Sequence, residues 1–112
     1  MTSFNEMYAK MEDKFAEKLS KVDVSKSKGY NAVILYDVSG PNGGNFYINI
    51  DDGGASLVKD NHDNPNIILN ILDTHLNDML DDRLSSMSAI VTGKLKIKGD
   101  MKLMMKLKKV LA

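Results

Sequence analysis

Cysteine is missing from all 112 residues, and with it go disulfide staples and thiol chemistry. The absence suits a reducing compartment. Long apolar runs are missing too: the longest clear one, residues 32–36, falls far short of the about 20 residues that a membrane-spanning helix needs. The first stretch, MTSFNEMYAKMEDKFAEK, carries charge throughout and has no apolar core, so it does not read as a secretory signal. Net charge is lacking as well. Fifteen basic and fifteen acidic side chains give a formal +0, which leaves no global field to draw in nucleic acid. There is no internal repeat and no low-complexity segment. The expectation is one soluble, cytoplasmic domain across residues 1–112, large enough to bury a core and too small to divide.

Catalytic and metal-binding patterns are equally scarce. His62 and His75, the only histidines, stand near Asp60, Asp63 and Asp73 without a recognised ligand spacing, and are expected to be exposed non-ligands. Ser85, Ser86 and Ser88 lack a nucleophile elbow. The run Asp51-Asp52-Gly53-Gly54 lacks the alternating oxygen ligands of a calcium loop, and Gly40, Gly43 and Gly44 do not precede a helix, so they form no phosphate cradle. No enzyme activity, metal or cofactor is expected.

What is present is a clear succession of periodic segments. Ser3 and Glu6 fit a capping box ahead of a helix whose Phe4, Met7, Tyr8, Met11, Phe15, Leu19 and Val22 fall within an arc of about 120°, a face read as core. Residues 23–28 read as a linker. Residues 30–38 are β-branched and aromatic on both alternating sets, as in a central strand covered on part of both faces. A Gly/Pro turn at 40–44 leads to a half-buried strand carrying Phe46, Ile48 and Ile50. A hairpin turn at 51–54 returns as a third strand over 55–59, and a longer loop leads to a fourth over 66–72.

Asp73 is then placed to cap a helix with Leu76, Met79, Leu80 and Leu84 on one side and a solvated face of Asn77, Asp78, Asp81 and Asp82 on the other. A turn or short helix over 85–91 feeds a last strand, where Leu95 and Ile97 alternate with Lys94, Lys96 and Lys98. Helices and strands in this order make an α+β layered domain.

The closing segment is the most informative. After Gly99, Asp100 can cap a helix running to the last residue, on which Met101, Leu103, Met104, Met105, Leu107, Val110 and Leu111 cover an arc of roughly 220°. Docking on one layer needs an apolar stripe of only about 100°. The helix therefore offers a second greasy side, rich in adaptable thioethers, and that side is the expected seat of function. Charge is also segregated: residues 51–83 carry eight acids against two bases, and the chain from Lys94 onward carries seven lysines against one aspartate. Either these are solvated faces that pair with each other, or the lysine end is attracted to an anionic membrane surface.

The block Gly93-Lys94-Leu95-Lys96-Ile97-Lys98-Gly99-Asp100, followed by a Met/Leu/Lys helix, resembles the ending of the sterol carrier protein 2 (SCP2) family. Residues 46–54 (FYINIDDGG) resemble that family's second strand and glycine-bearing hairpin. Residues 64–69 (NPNIIL) are similar to its fourth strand, with Asn66 where the family usually shows aspartate, a departure expected to touch only a loop contact. The resemblance spans nearly the whole chain. It implies a five-stranded, mostly antiparallel sheet with helices covering one face and an apolar tunnel between them. It also implies binding and transfer of fatty acid, fatty acyl-CoA or sterol-like lipid without chemical conversion. Peroxisomal members end in a targeting tripeptide; Val110-Leu111-Ala112 is not one, so a cytoplasmic place of action is expected.

Burying an acyl chain gains about 0.8 kcal/mol per CH₂, so an apolar cavity with one polar mouth suffices for such a ligand. The candidate lining residues are Met79, Leu80, Leu84, Met87, Ile90, Met101, Leu103, Met104 and Met105. The same residues could instead fill a closed core, form a protein-interaction or dimerisation groove, or belong to an accessory domain that presents an acyl substrate to a separate enzyme. The expected partners are a lipid ligand and a transient membrane-surface contact through the C-terminal lysines, with no nucleic acid. The chain is expected to be a monomer or homodimer.

Overall fold

The apolar and alternating segments become β1 (Asn31–Ser39), β2 (Gly44–Asp51), β3 (Gly54–Val58), β4 (Ile67–Leu72) and β5 (Leu95–Gly99). Around them stand α1 (Phe4–Lys21), α2 (Asp73–Leu80) and α3 (Ser86–Val91). The computed structural model describes residues 3–21, 31–51 and 54–103. The strands form one sheet in the order β3-β2-β1-β4-β5. Three of its interfaces are antiparallel and one, β1 with β4, is parallel, so the expected α+β class with a mostly antiparallel five-stranded sheet holds.

The pairing register explains the core. Ile34 lies beside Ile48 on one side and Ile67 on the other, and Tyr36 lies beside Phe46 and Leu69. Because side chains alternate across a strand, these positions share one face. That face is the apolar floor, with Phe46 and Ile67 fully buried. Each such side chain contributes about 1.5–3 kcal/mol of burial. On the opposite face Leu35 is also buried, between its register neighbours Tyr47 and Ile68, so β1 is covered on part of both faces as its composition predicts.

Helix α1 lies against β3 and α2, and α2 against β1 and β4, while α3 packs beside β5. The start of α1 is capped as expected, with Ser3 Oγ accepting the Glu6 N–H at 3.2 Å. Met7 and Tyr8 reach the core, and Tyr8 meets Phe46 edge-on at 5.6 Å. Lys59, just past β3, sits over the Phe4 and Tyr8 rings and donates to Asn5, which ties the helix to the sheet edge.

Three expectations need correction. Asp73 is not a helix cap. The N-cap position of α2 is Leu72, and Asp73 is its first helical residue, buried at 5 % exposure. Its carboxylate instead accepts the N–H of Asn42 at 2.9 Å and of Thr74 at 2.8 Å, which fastens the 40–43 turn to the helix start. Gly40 makes this possible: its φ is +102°, and a Cβ there would lie 2.5 Å from the Asp73 carboxylate. Asp73→Ala strands the Asn42 N–H, so a loss of about 2 kcal/mol is expected from urea unfolding.

Helix α2 ends at Leu80, short of the expected Leu84, and the acids at its end, exposed as expected, are also paired. Lys10 reaches Asn77 at 2.9 Å and Asp81 at 3.0 Å, Lys14 reaches Asp82 at 2.9 Å, and Arg83 pairs with Asp78 and Asp81.

Asn66 is more than a loop contact. Its side-chain oxygen accepts the Val33 N–H at 2.8 Å, its own N–H donates to Val33 O at 3.0 Å, and its carbonyl accepts from Asp100 at 3.0 Å. It thereby extends the β1–β4 pairing and receives the chain leaving β5. An amide oxygen accepts the Val33 N–H as a carboxylate would.

Beyond β5, Asp100 accepts the N–H of Leu103 at 3.0 Å, and residues 101–103 are helical. The apolar arc expected from Met104 to Leu111 lies outside the described residues, as does the linker over 23–28.

Candidate functional site

Between α1, α2, the connection 81–86 and the sheet floor lies a cavity of about 430 Å³. That volume is within the range of small-molecule sites. Its walls follow from helical spacing. Met11 and Phe15, one turn apart on α1, face Leu76, Met79 and Leu80 of α2, Leu84 closes one end, and Ile48 and Tyr36 form the floor. The polar groups gather on the connection side, where Lys14, Asp82, Ser85 and Ser86 complete the lining.

The rim is ionic and wet. Lys14 donates to both Asp82 oxygens, and this bond, above the lesser effects of neighbouring acids, raises the lysine's pKa above its ordinary value. Asp82 holds φ +61°, a left-handed conformation at the end of α2 that aspartate tolerates better than most residues. Ser85 caps α3, its Oγ accepting the Ser88 N–H at 3.1 Å.

Tyr36 is the polar group of the floor. Its ring stacks on Phe46 with centroids 4.6 Å apart, and its hydroxyl makes no hydrogen bond among the described residues. Burial pushes the phenol up to about 12. Because the folded value lies above the unfolded one, the neutral phenol's contribution is whole below pH 10.0 and is lost as pH rises toward about 12. Wild-type protein is therefore expected to lose about 2 kcal/mol more than Tyr36→Phe over that interval, read from urea midpoints, with a late phenolate step in the ultraviolet titration.

Of the residues proposed from sequence, Met79, Leu80 and Leu84 line the cavity. Leu103 packs half-buried against the core cluster. Met87, Ile90 and Met101 are not among the residues lining this cavity and are exposed at 60, 42 and 51 %: the six-residue α3 buries only Ala89, and Met101 starts its helix at the surface. Met104 and Met105 lie outside the described residues. Met11, Phe15, Tyr36, Ile48 and Leu76 are additional walls; the two on α1 carry a legible sign, being an apolar pair midway along a one-faced helix.

His62 and His75 are half-buried rather than exposed. His62 Nδ1 accepts the Asn64 N–H at 3.1 Å and its ring meets Tyr47 edge-on, and His75 Nδ1 is buried without a hydrogen-bond partner. Among the described residues no group of three His, Asp or Glu side chains is placed to hold a metal ion, and no helix is long and apolar enough to cross a membrane.

Comparison with known proteins gives a consistent picture. The family model of the SCP-2 sterol transfer family matches residues 13–112. Hydroxysteroid dehydrogenase-like protein 2 from Pongo abelii is 29 % identical over 85 residues, which is 75 % of this chain; the chain spans 20 % of that curated relative's length. Among solved structures, the sterol carrier protein domain 2 of Helicoverpa armigera superposes with a TM-score of 0.69 at 25 % identity, covering 98 % of this chain and 87 % of that one. The palmitated SCP2L2 of Aedes aegypti superposes at 0.60 with 12 % identity, covering 84 % of this chain and 90 % of that one.

Proposed function

The chain belongs to the SCP-2 sterol transfer family, and on that premise we propose that it binds and transfers a lipid without altering it chemically. The observation that carries the proposal is the cavity of about 430 Å³, whose α1, α2 and Leu84 walls are thioether, phenyl and leucyl groups and whose charged groups are confined to one rim. An alkyl chain entering it leaves water at about 0.8 kcal/mol per CH₂, and a polar head stays at the rim beside Lys14, Ser85 and Ser86. A fatty acid or fatty acyl group fits that division better than a molecule with polar groups at both ends. The palmitate held by the Aedes aegypti protein is in keeping with this choice.

The lining assignment is part of the proposal: Met79, Leu80 and Leu84 touch the chain, joined by Met11, Phe15 and Ile48. Delipidated protein is expected to take up a fluorescent fatty acid saturably. Well-folded protein showing no saturable uptake would overturn the reading.

A second role is favoured by the length of the curated relative, of which this chain matches 20 %. There the domain would present an acyl substrate to a separate catalytic unit. Free carrier or presenter, the cavity's task is the same. The lack of cysteine is in keeping with action in the cytoplasm.

A further inference from the structure

Tyr36 carries a hydroxyl where packing asks only for a ring. On the sheet floor it lies in register between Phe46 and Leu69, both buried, and its ring stacks on Phe46 with centroids 4.6 Å apart. Phenylalanine would make the same contacts. Yet Tyr36 itself is only half-buried, because it lines the cavity. Side chains of a strand stand roughly perpendicular to the sheet, so the hydroxyl, at the tip, is carried off the floor toward the space under α1 and α2. It has no hydrogen-bond partner among the described residues, and it is not walled in either: the sealed polar side-chain atom without a partner is His75 Nδ1. Water is a poor substitute for a partner there. An interior water needs about two to four polar neighbours, whereas Phe46 and Leu69 beside Tyr36, and Phe15 and Leu80 on the walls, bring no polar side-chain atom.

We propose that the Tyr36 hydroxyl determines specificity by donating a hydrogen bond to an oxygen carried along the alkyl chain, so that the favoured ligand is a fatty acid bearing a hydroxyl, keto or epoxide oxygen away from its head group. The inference rests on the carrier reading above and names its ligand class. Two separate sets of polar groups meet the ligand. Lys14, Asp82, Ser85 and Ser86 belong to α1 and the 81–86 connection, whereas Tyr36 rises from β1. A lipid that satisfies both keeps its head at the rim and carries one oxygen further along, with plain hydrocarbon against Met79 and Leu84. An unsubstituted chain covers the phenol without bonding to it. An oxygen at the matching carbon gives that donor its acceptor, and recovers part of what both groups lose on leaving water.

Competition against a bound fluorescent fatty acid tests the proposal, with stearate and a positional series of hydroxy- and ketostearates offered to the full chain and to Tyr36→Phe. In the wild-type protein one position, or two adjacent ones, is expected to bind at least as tightly as stearate. The other isomers are expected to bind more weakly, since their oxygen is buried without a partner. Tyr36→Phe is expected to weaken the favoured isomer about tenfold and to leave stearate within about twofold. The variant keeps the ring and its stacking on Phe46, so its urea midpoint at neutral pH should stay at or above the wild-type value. A role in packing alone would move stearate and the isomers together. The same ranking of the series in both proteins, or an equal loss for stearate and the isomers, overturns the proposal and leaves the carrier reading standing. Absence of uptake of every chain, stearate included, overturns both.

Discussion

Gly99→Ala is expected to remove about 4 kcal/mol of stability, a large share of the 5–15 kcal/mol typical of a domain. Gly99 ends β5 with φ +114°, outside the conformations that a side chain adopts readily. A Cβ there would lie 2.2 Å from Asn66 O and 3.0 Å from Ile67 Cα. Both are backbone atoms held by strand pairing, since Gly99 is the register partner of Ile67 and the next N–H bonds to Asn66 O. Nothing there can rotate away, so the strands must separate.

Gly93 supplies the control. Its φ is +76°, but a Cβ would meet nothing within 4 Å. Gly93→Ala should therefore cost only the conformational strain, about 1 kcal/mol. Urea midpoints of the two variants give the contrast; if both lose the same amount, the close approach at Gly99 is not what sustains the sheet edge.

Met79→Asp is expected to lower fatty-acid affinity by about a hundredfold. Met79 is half-buried on the cavity wall between Leu76 and Leu80, and a carboxylate there meets the alkyl chain with nothing to replace its hydration. Met79→Leu keeps volume and polarity and should bind within about twofold of wild type. Met87→Asp introduces the same charge on an exposed thioether one element away, outside the cavity, and should leave uptake unchanged. A folded Met79→Asp protein that binds like wild type would move the ligand out of this cavity.

The contrast between Met79 and Met87 also shows how far sequence reasoning reaches. Alternation and helical spacing locate the strands and helices among the described residues to within a residue or two, because burial of one face imposes that period, except that α2 ends at Leu80, short of the expected Leu84. They do not say which strands are neighbours. The parallel contact of β1 with β4 depends on a return path through the 59–66 loop that carries no local signature.

Nor does spacing reveal a partner distant in the chain. Nothing local links Asp81 and Asp82 to Lys10 and Lys14, and Asp73 looks like a cap until the 40–43 turn arrives beneath it. A surplus of apolar surface signals a hollow, but Met11 and Phe15 of α1 share its wall with Leu76, Met79 and Leu80 of α2.

The parallel junction has a consequence for how the molecule comes into being. Residue 34 meets residue 67 at the heart of the sheet, so a nascent chain leaving the ribosome can zip β1, β2 and β3 into a meander while one flank of β1 is still bare. Closing that flank is a high-contact-order event, slow compared with the β1–β2 and β2–β3 hairpins. Until β4 has been synthesised, the unsatisfied edge of β1 is the segment that a chaperone has most reason to shield.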